Sequence, residues 1–147
     1  MSVRIRVCTT INASPADVWA EVEHIERHPD WMADAVSVRF VGSRRSGVGT
    51  AFESLTRVGP LRANDVATVT EWEPRRAMGI VHHGVVTGTG RFTLRRRRGS
   101  RTRFCWEEQL RFPWWMGAVI GERLAKPVLK RIWRANLRRL RARCEQL

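Results

Sequence analysis

The chain has 147 residues, of which 43% are hydrophobic and 28% charged, and its formal net charge at pH 7 is +13. This length suits one domain with a buried core, and the hydrophobic fraction excludes a disordered chain. No apolar run approaches the roughly 18 residues of a membrane span and the alternating start lacks a signal-peptide core, so we predict a single cytoplasmic domain over residues 1–147.

The positive charge is concentrated in the C-terminal part of the chain. Residues 1–90 hold ten arginines and ten acidic residues, whereas residues 91–147 hold seventeen basic residues and four acids. This asymmetry favours an anionic partner, with a membrane surface as the first candidate. The alternative is a general arginine bias that produces only a solvated face.

The three cysteines, Cys8, Cys105 and Cys144, are odd in number and far apart in the sequence. They form no C-x-x-C pair and no cysteine–histidine cluster with the spacing of a zinc site. We therefore predict reduced, partly buried thiols, no metal site and no cofactor.

The start of the chain predicts a strand followed by two short helices. Apolar and polar residues alternate from Val3 to Ile11, which is the period of a half-buried strand. Ser14, Pro15 and Asp17 supply an N-cap, an N1 proline and an acid in the first turn, so a helix is predicted from Pro15 to about residue 23. A second helical segment over residues 25–32 is expected to be interrupted at His28-Pro29.

Six further strands are predicted between the short helices and residue 112. The segments are 36–41, 51–58, 63–72, 78–85, 87–96 and 102–112, and turns containing glycine or proline separate all of them except 78–85 and 87–96. Because strands follow one another without intervening helices, we predict a largely antiparallel sheet.

The last predicted element is a long amphipathic helix from near Trp114 or Met116 to about Cys144, which Pro127 should kink or split. At 100° per residue, one side of this helix is apolar and is expected to lie on the concave face of the sheet. Its members are Ala125, Val128, Leu129, Ile132, Trp133, Leu140 and Cys144. The opposite side carries basic residues, namely Arg123, Lys126, Lys130, Arg134, Arg138 and Arg141.

This order of elements resembles the helix-grip, START-like (SRPBCC) superfamily, specifically its polyketide cyclase/dehydratase-like branch. The residues that carry the resemblance are Ile11-Asn12-Ala13-Ser14-Pro15-Ala16-Asp17-Val18-Trp19, His28-Pro29-Asp30-Trp31, Gly47-Val48-Gly49-Thr50, Val69-Thr70-Glu71-Trp72-Glu73-Pro74-Arg75-Arg76, Gly99-Ser100-Arg101-Thr102 and Leu137-Arg138-Arg139-Leu140-Arg141 with Glu145. The resemblance implies an α+β fold in which a curved antiparallel sheet of six to seven strands surrounds a long C-terminal helix, with two short helices after strand 1. It also implies a cavity between the sheet and the helix.

The predicted strand registers indicate which side chains face that cavity. If the apolar member of each alternating pair points inward, the lining is mostly aromatic and aliphatic with a few polar groups, as a ligand pocket requires. The predicted ligand contacts are Trp31, Phe52, Ser54, Thr68, Ile80, His82, Phe92, Trp106, Glu108, Trp115, Leu129, Ile132 and Asn136.

Structural roles are the alternative for several of these residues. Asn136 would then bond a neighbouring backbone group, and Ser54 and Thr68 would act only as strand formers. Trp31 is a candidate gate of the cavity entrance. Trp115 packs at the entrance or, with Trp114, anchors the protein in a membrane interface.

His82 and Glu108 are the candidate catalytic residues. An inward carboxylate in an apolar cavity is disfavoured in its charged form, and a nearby imidazole can exchange protons at neutral pH. The alternatives are a satisfied core or rim histidine, and a glutamate that pairs with an arginine or that a bulge places in solvent beside Glu107. His82 and His83 face opposite sides of a strand, so they cannot share a metal ion.

Three functions follow from this sequence. The first is binding of an apolar lipid, isoprenoid or polyketide-like molecule, and the second is catalysis of the polyketide cyclase/aromatase or dehydratase type, which the resemblance implies. The third is peripheral binding to an anionic membrane through the basic helix. Nucleic-acid binding is disfavoured because charge alone supports it. The oligomeric state is left open.

Overall fold

The computed structural model describes residues 2–115 and 122–146. Its strands and helices within these ranges follow the predicted order. They are β1 (Ser2–Ile11), α1 (Pro15–Val22), a 3₁₀ helix (Ile25–Asp30), β2 (Ala35–Val41), β3 (Ala51–Val58), β4 (Leu61–Glu73), β5 (Ala77–His83), β6 (Thr87–Arg97), β7 (Arg101–Arg111) and α2 (Glu122–Glu145). The predicted strand, helix and hairpin order is therefore confirmed.

The strands form one curved antiparallel sheet in the order β1-β7-β6-β5-β4-β3-β2. From β2 to β7, each strand forms an antiparallel hairpin with the next strand in the sequence. Strand β1 lies at the edge of the sheet and pairs with β7. The long helix α2 lies against this sheet, and α1 and the 3₁₀ helix follow β1. This is the helix-grip architecture that the resemblance implies.

Local sequence explains how the first helix begins. The Ser14 hydroxyl accepts a hydrogen bond from the Asp17 amide at 3.2 Å, and Pro15 takes the first helical position, where its missing N–H costs nothing. Val18, Trp19 and Val22 make up the buried face of α1. The segment after it is one 3₁₀ helix that contains His28-Pro29, so the predicted interruption there is wrong.

The core lies between the concave face of the sheet and the apolar side of α2. Trp106 of β7 and Trp133 of α2 stack with their ring centroids 4.5 Å apart and an interplanar angle of 16°. Leu137 and Leu140 continue this contact and are fully buried. Such aromatic stacking adds roughly 0.5–1.5 kcal/mol to the burial of the rings, and it fixes α2 on the sheet.

Helix α2 runs without a break through Pro127, so of the two predicted outcomes, a kink or a split, the split is wrong in the described residues and the kink stays a prediction. Ala125 before the proline and Trp133 after it are both buried in the core. Packing on both sides therefore holds the helical path despite the lost hydrogen bond. The predicted start at Met116 lies outside the described residues, and none of the described helices is long and apolar enough to cross a membrane.

Cys8 and Cys105 form a disulfide between β1 and β7. The two residues are directly opposite in the strand register, with their Cα atoms 4.1 Å apart. The predicted reduced state is therefore wrong for this pair. Cys144 is free and buried, and burial raises the pKa of its thiol to about 12.

Candidate ligand-binding cavity

A cavity of about 200 Å³ lies between the concave face of the sheet and α2. A single buried water needs only about 10–15 Å³, so this space can hold an organic molecule. Most of its wall is apolar and comes from the 3₁₀ helix, from β2 to β7 and from α2. Representative lining side chains are Ile25, Val38, Met78, Leu110, Phe112 and Val128.

Most of the sequence-predicted ligand contacts come together in this cavity. Those that line it are Phe52, Ser54, Ile80, His82, Phe92, Trp106, Glu108 and Leu129. Leu129 lies on α2, and the others lie on the inward faces of β3, β5, β6 and β7, whose apolar alternation is regular enough to predict their direction.

The prediction that Thr68 faces the cavity is wrong, because the inward-facing positions of β4 differ from those that the sequence predicts. Its neighbour Ala67 pairs with Phe52 and His82, which both line the cavity, so Ala67 faces inward and Thr68 faces the other side of the sheet. Val66, on the same side as Thr68, is 38% exposed.

Three other predicted contacts do not line the cavity. Trp31 is fully buried, with its ring centroid 5.9 Å from Phe92 and 6.1 Å from Trp106, so it supports the cavity wall from behind instead of gating an entrance. Ile132 is half-buried against the core. Trp115 is 45% exposed and stands outside the cavity.

Asn136 also does not line the cavity, and its side chain instead forms hydrogen bonds within the protein. Its side-chain oxygen accepts a hydrogen bond from the Ala33 amide at 3.0 Å, and its nitrogen donates to Asp34 Oδ1 at 2.7 Å. The Trp133 indole donates to the other Asp34 oxygen at 3.1 Å. This network ties α2 to the segment before β2.

Asp34, which follows the 3₁₀ helix, also reaches the cavity wall, and the sequence did not predict it as a site residue. Burial raises the pKa of Asp34, and the charge of Glu108 adds to the rise, although the hydrogen bonds from Asn136 and Trp133 act against it. No motif marks this residue, because its partners lie about a hundred positions later in the chain.

The two candidate catalytic residues face one another in the cavity. His82 Nε2 lies 3.1 Å from Glu108 Oε1, and the two side chains are 20% and 9% exposed. Burial alone would lower the pKa of His82, but the charge of Glu108 and its hydrogen bond outweigh burial, so the net change is upward. The raised pKa means that His82 keeps its proton to higher pH than a free imidazole does, although it lies in an apolar setting.

The remaining charged residues make the polar end of the cavity acidic. Asp65 lines it together with Asp34 and Glu108. Two arginines are also in the lining, but Arg62 is exposed and the Arg91 guanidinium is bound to a glutamate outside the cavity, Glu71. No group of three or more His, Cys, Asp or Glu side chains in residues 2–115 and 122–146 is arranged to hold a metal ion.

Comparison with known proteins identifies one family and several solved structures that share the fold of this chain. Residues 2–145 match the family model described as polyketide cyclase / dehydrase and lipid transport. Among solved structures, the chain is similar to TTHA0849 from Thermus thermophilus, with 14% identity, a TM-score of 0.82 and 97% of each chain covered.

It is also similar to the Zhui aromatase/cyclase from Streptomyces sp. R1128, with 14% identity, a TM-score of 0.81 and coverage of 99% of this chain and 95% of that one. A third similar structure is Ara h 8.0201, with 10% identity, a TM-score of 0.70 and full coverage of both chains. Identities this low show a shared fold. No curated protein gives a significant match to the sequence.

Proposed function

The chain belongs to the polyketide cyclase / dehydrase and lipid transport family, and we propose that it binds an apolar small molecule in the cavity between the sheet and α2. A lipid, an isoprenoid and a polyketide-like compound are the ligand classes that suit the apolar wall. The observation that carries the proposal is a cavity of about 200 Å³ with a mostly apolar lining and a few polar groups. The whole chain, residues 1–147, would act as one ligand-binding domain.

The acidic end of the cavity narrows the ligand class. Within the described residues Glu108 bonds through Oε1 to His82, so its second oxygen is an acceptor for a ligand group. Ser54 adds a hydroxyl to the same lining. A ligand with a hydroxyl, phenol or enol donor would satisfy these acceptors, whereas a carboxylate or phosphate head would be buried beside like charges.

Native mass spectrometry of the protein purified from cells tests the binding proposal. We expect a co-purifying apolar molecule that is lost in Ser54→Trp, because the indole fills the cavity from β3. Leu55→Trp is the matched control, since Leu55 points to the other face of the same strand, and it should retain the ligand. An unoccupied wild-type protein that also fails to bind any apolar probe would refute the proposal.

Matched amphiphiles test the donor preference separately. Dodecanol and dodecanoate have the same hydrocarbon tail and differ only in the head group. We expect the alcohol to bind at least about tenfold more tightly, because the carboxylate of dodecanoate would be buried beside the acidic residues of the cavity. Tighter binding of dodecanoate would reject the preference while leaving the binding function in place.

Catalysis in the same cavity is the second candidate function, and the His82–Glu108 pair favours it. The Glu108 carboxylate would take a proton from a methylene between two carbonyl groups. The resulting enolate carbon would form a C–C bond to a second carbonyl carbon, and protonated His82 would give its proton to the new alkoxide. The proton on Glu108 would then return to His82, so the step needs no oxidant or reductant.

Turnover of a poly-β-keto substrate by His82→Gln and Glu108→Gln tests this candidate. We expect turnover to fall by two orders of magnitude or more, the usual contribution of a general acid or base, with substrate affinity nearly unchanged. Equal loss of turnover and affinity would leave only the binding role.

A third proposal is that the protein binds the surface of an anionic membrane. Trp114 is 83% exposed and Trp115 is 45% exposed, and α2 presents exposed basic residues such as Arg134 and Arg138. Exposed tryptophans and exposed cationic side chains are both features that suit binding to an anionic bilayer. Flotation with phosphatidylglycerol vesicles should be lost in Trp114→Ala/Trp115→Ala and reduced by high salt, and failure of the wild type to float would remove this role.

We also propose that the protein is located in the cytoplasm, as the sequence predicts. Cell fractionation tests this location, and thiol trapping reports the oxidation state of the Cys8–Cys105 pair at the same time. Disulfides persist mainly in oxidising compartments. Thiol trapping in intact cells, followed by fractionation, should recover the protein in the cytoplasmic fraction, whatever the oxidation state of Cys8 and Cys105 there. Recovery of the oxidised form outside that fraction would reject the location.

A further inference from the structure

The outer face of the sheet, opposite the ligand cavity, carries four arginines in two directly opposed cross-strand pairs. Arg95 of β6 pairs with Arg103 of β7, and Arg97 pairs with Arg101. Side chains at such positions are roughly 5 Å apart across the strands and 7–8 Å apart along the diagonal. Like charges directly opposite one another destabilise a sheet. The hairpin therefore holds four guanidinium groups together against their mutual repulsion.

The acids on this face are already bound to other arginines. Glu107 accepts from Arg4 at 2.9 Å, and the Glu71 carboxylate binds Arg91 through two hydrogen bonds at 2.7 and 3.1 Å. Within the described residues, no carboxylate forms a salt bridge with any member of the two opposed arginine pairs. Their charge is thus available to a ligand.

Neutral neighbours hold two of these side chains in place. Arg103 donates to the Thr10 hydroxyl at 3.0 Å, and Arg101 donates through Nε to the Arg98 carbonyl at 3.0 Å. Each guanidinium has five N–H donors, so most of them stay free after these bonds. Held in this way, the two side chains lose less conformational freedom when an anion binds.

The side chains enclose a groove made of two adjoining depressions that share Arg97 and Arg103. We call it the outer groove and define it by Thr93, Arg95, Arg97, Arg98, Arg101 and Arg103. The Cys8–Cys105 disulfide lies at one end of it. The residues that line the two depressions include no aromatic ring and no large aliphatic side chain.

We propose that the outer groove binds a compact polyphosphate anion of the pyrophosphate or tripolyphosphate class. Arginine binds phosphate oxygens in pairs of parallel hydrogen bonds, and several adjacent phosphoryl groups can be bound by arginines at neighbouring positions of two paired strands. A single-stranded nucleic acid would need aromatic platforms for its bases, and a membrane would need apolar side chains to insert. The outer groove supplies neither, so its lining favours the compact anion.

Calorimetry with sodium tripolyphosphate and inorganic phosphate, at an ionic strength of about 0.15 M, tests this proposal. We expect tripolyphosphate to bind more tightly than phosphate. Its affinity should fall at least about tenfold in Arg97→Gln/Arg103→Gln, because charged hydrogen bonds are lost. Arg44→Gln/Arg45→Gln in the connection between β2 and β3 removes the same charge from another exposed surface, and it should change the affinity less than about twofold.

Equal loss in the two double variants, or no wild-type binding at millimolar tripolyphosphate, would overturn the proposal. Tighter binding of a single-stranded oligonucleotide or of phosphatidic acid vesicles than of tripolyphosphate, abolished in the outer-groove variant, would assign the surface to that partner instead. Thermal unfolding without anion gives a further check. The outer-groove variant should melt at a higher temperature than the wild type because repulsion is relieved, and a lower melting temperature would contradict the repulsion that we infer.

Discussion

The Glu108 carboxylate packs against Gly90, its direct partner across β6 and β7, in the space that a Cβ atom on Gly90 would occupy. Ile80, on the next strand, closes the same space from the other side. Glycine at position 90 therefore allows the carboxylate to lie flat on the sheet and reach His82. The polar end of the cavity depends on this missing side chain as much as on the residues that carry charge.

Gly90→Ala should displace Glu108 and weaken both folding and ligand binding. Overpacking of a closed site costs roughly 1–3 kcal/mol, so we expect a loss of unfolding free energy of this size in urea titrations. Thr89→Ala is the matched control, because the adjacent Thr89 is exposed on the outer face, and it should stay within about 0.5 kcal/mol of the wild type. Wild-type stability and ligand affinity in Gly90→Ala would show that the carboxylate has room to move.

The His82–Glu108 contact predicts a pH dependence on the alkaline side. Because the pKa of His82 is raised in the folded state, the stabilisation is fully present below the unfolded value of 6.5 and is lost as the pH rises through the folded value. We expect the stability difference between the wild type and Glu108→Gln to shrink over that rise, as measured by urea unfolding from about pH 5 to 9. His83→Gln, on the other face of β5, should keep the wild-type profile. A stability difference that is independent of pH would show that the pair exchanges no proton in this range.

His28 predicts a separate pH dependence on the acid side. Burial lowers the pKa of His28 to about 4, against a smaller upward effect of its hydrogen bond to the Val22 carbonyl at 2.8 Å. Between pH 6.5 and 4 the unfolded chain gains a proton that the folded chain excludes, so the unfolding free energy should fall by about 3 kcal/mol.

The difference between the wild type and His28→Gln isolates this contribution, because glutamine keeps a donor for the Val22 carbonyl and does not titrate. His24→Gln, at a partly exposed position before the 3₁₀ helix, is the control. If the unfolding free energy of His28→Gln fell with decreasing pH as steeply as that of the wild type, His28 would not be the source of the acid destabilisation.

The strand and helix order was predictable because its signals are local. Ser14 and Pro15 start a helix through their own backbone neighbours, and the glycine turns end strands within a few residues. The register of β4 was not predictable in this way. Its inward positions include the small residue Ala67, its outward positions include Val66, and the pairing shifts between Val69 and Glu71. Hydrophobic alternation therefore selected the wrong face and with it Thr68.

The missed site features share a different cause, which is sequence distance. Cys8 and Cys105 meet only because β1 pairs with β7, and they are separated by 97 positions. Asp34 acquires its role from Asn136 and Trp133, which lie about a hundred residues away on α2. Periodicity reports the direction of a side chain but not the partner it meets.

The cysteine arrangement predicts a defined thiol count. Native protein should react with no iodoacetamide, because Cys8 and Cys105 are bonded and burial keeps the Cys144 thiol protonated and covered. Denatured protein should gain one label, and denatured, reduced protein should gain three, as measured by intact mass. Reduction should also lower the unfolding free energy by roughly 2–4 kcal/mol. Three labels without a reductant would show that the disulfide does not form.

Asn136 gives the clearest separation of a structural role from a binding role. Asn136→Ala removes the hydrogen bonds that the fully buried Asn136 makes with the Ala33 amide and the Asp34 carboxylate, although Asp34 keeps its bond from Trp133, and loss of a hydrogen bond to a charged group costs about 1.5–3 kcal/mol. We expect destabilisation of at least this size in urea titrations, with the affinity for an apolar probe unchanged. Leu129→Ala is the comparison, since Leu129 lines the cavity and its truncation should weaken probe binding severalfold. If Asn136→Ala instead lowered the affinity while the unfolding free energy moved by less than about 0.5 kcal/mol, Asn136 would have to contact the ligand directly, and the network that it forms with Asp34 would be secondary.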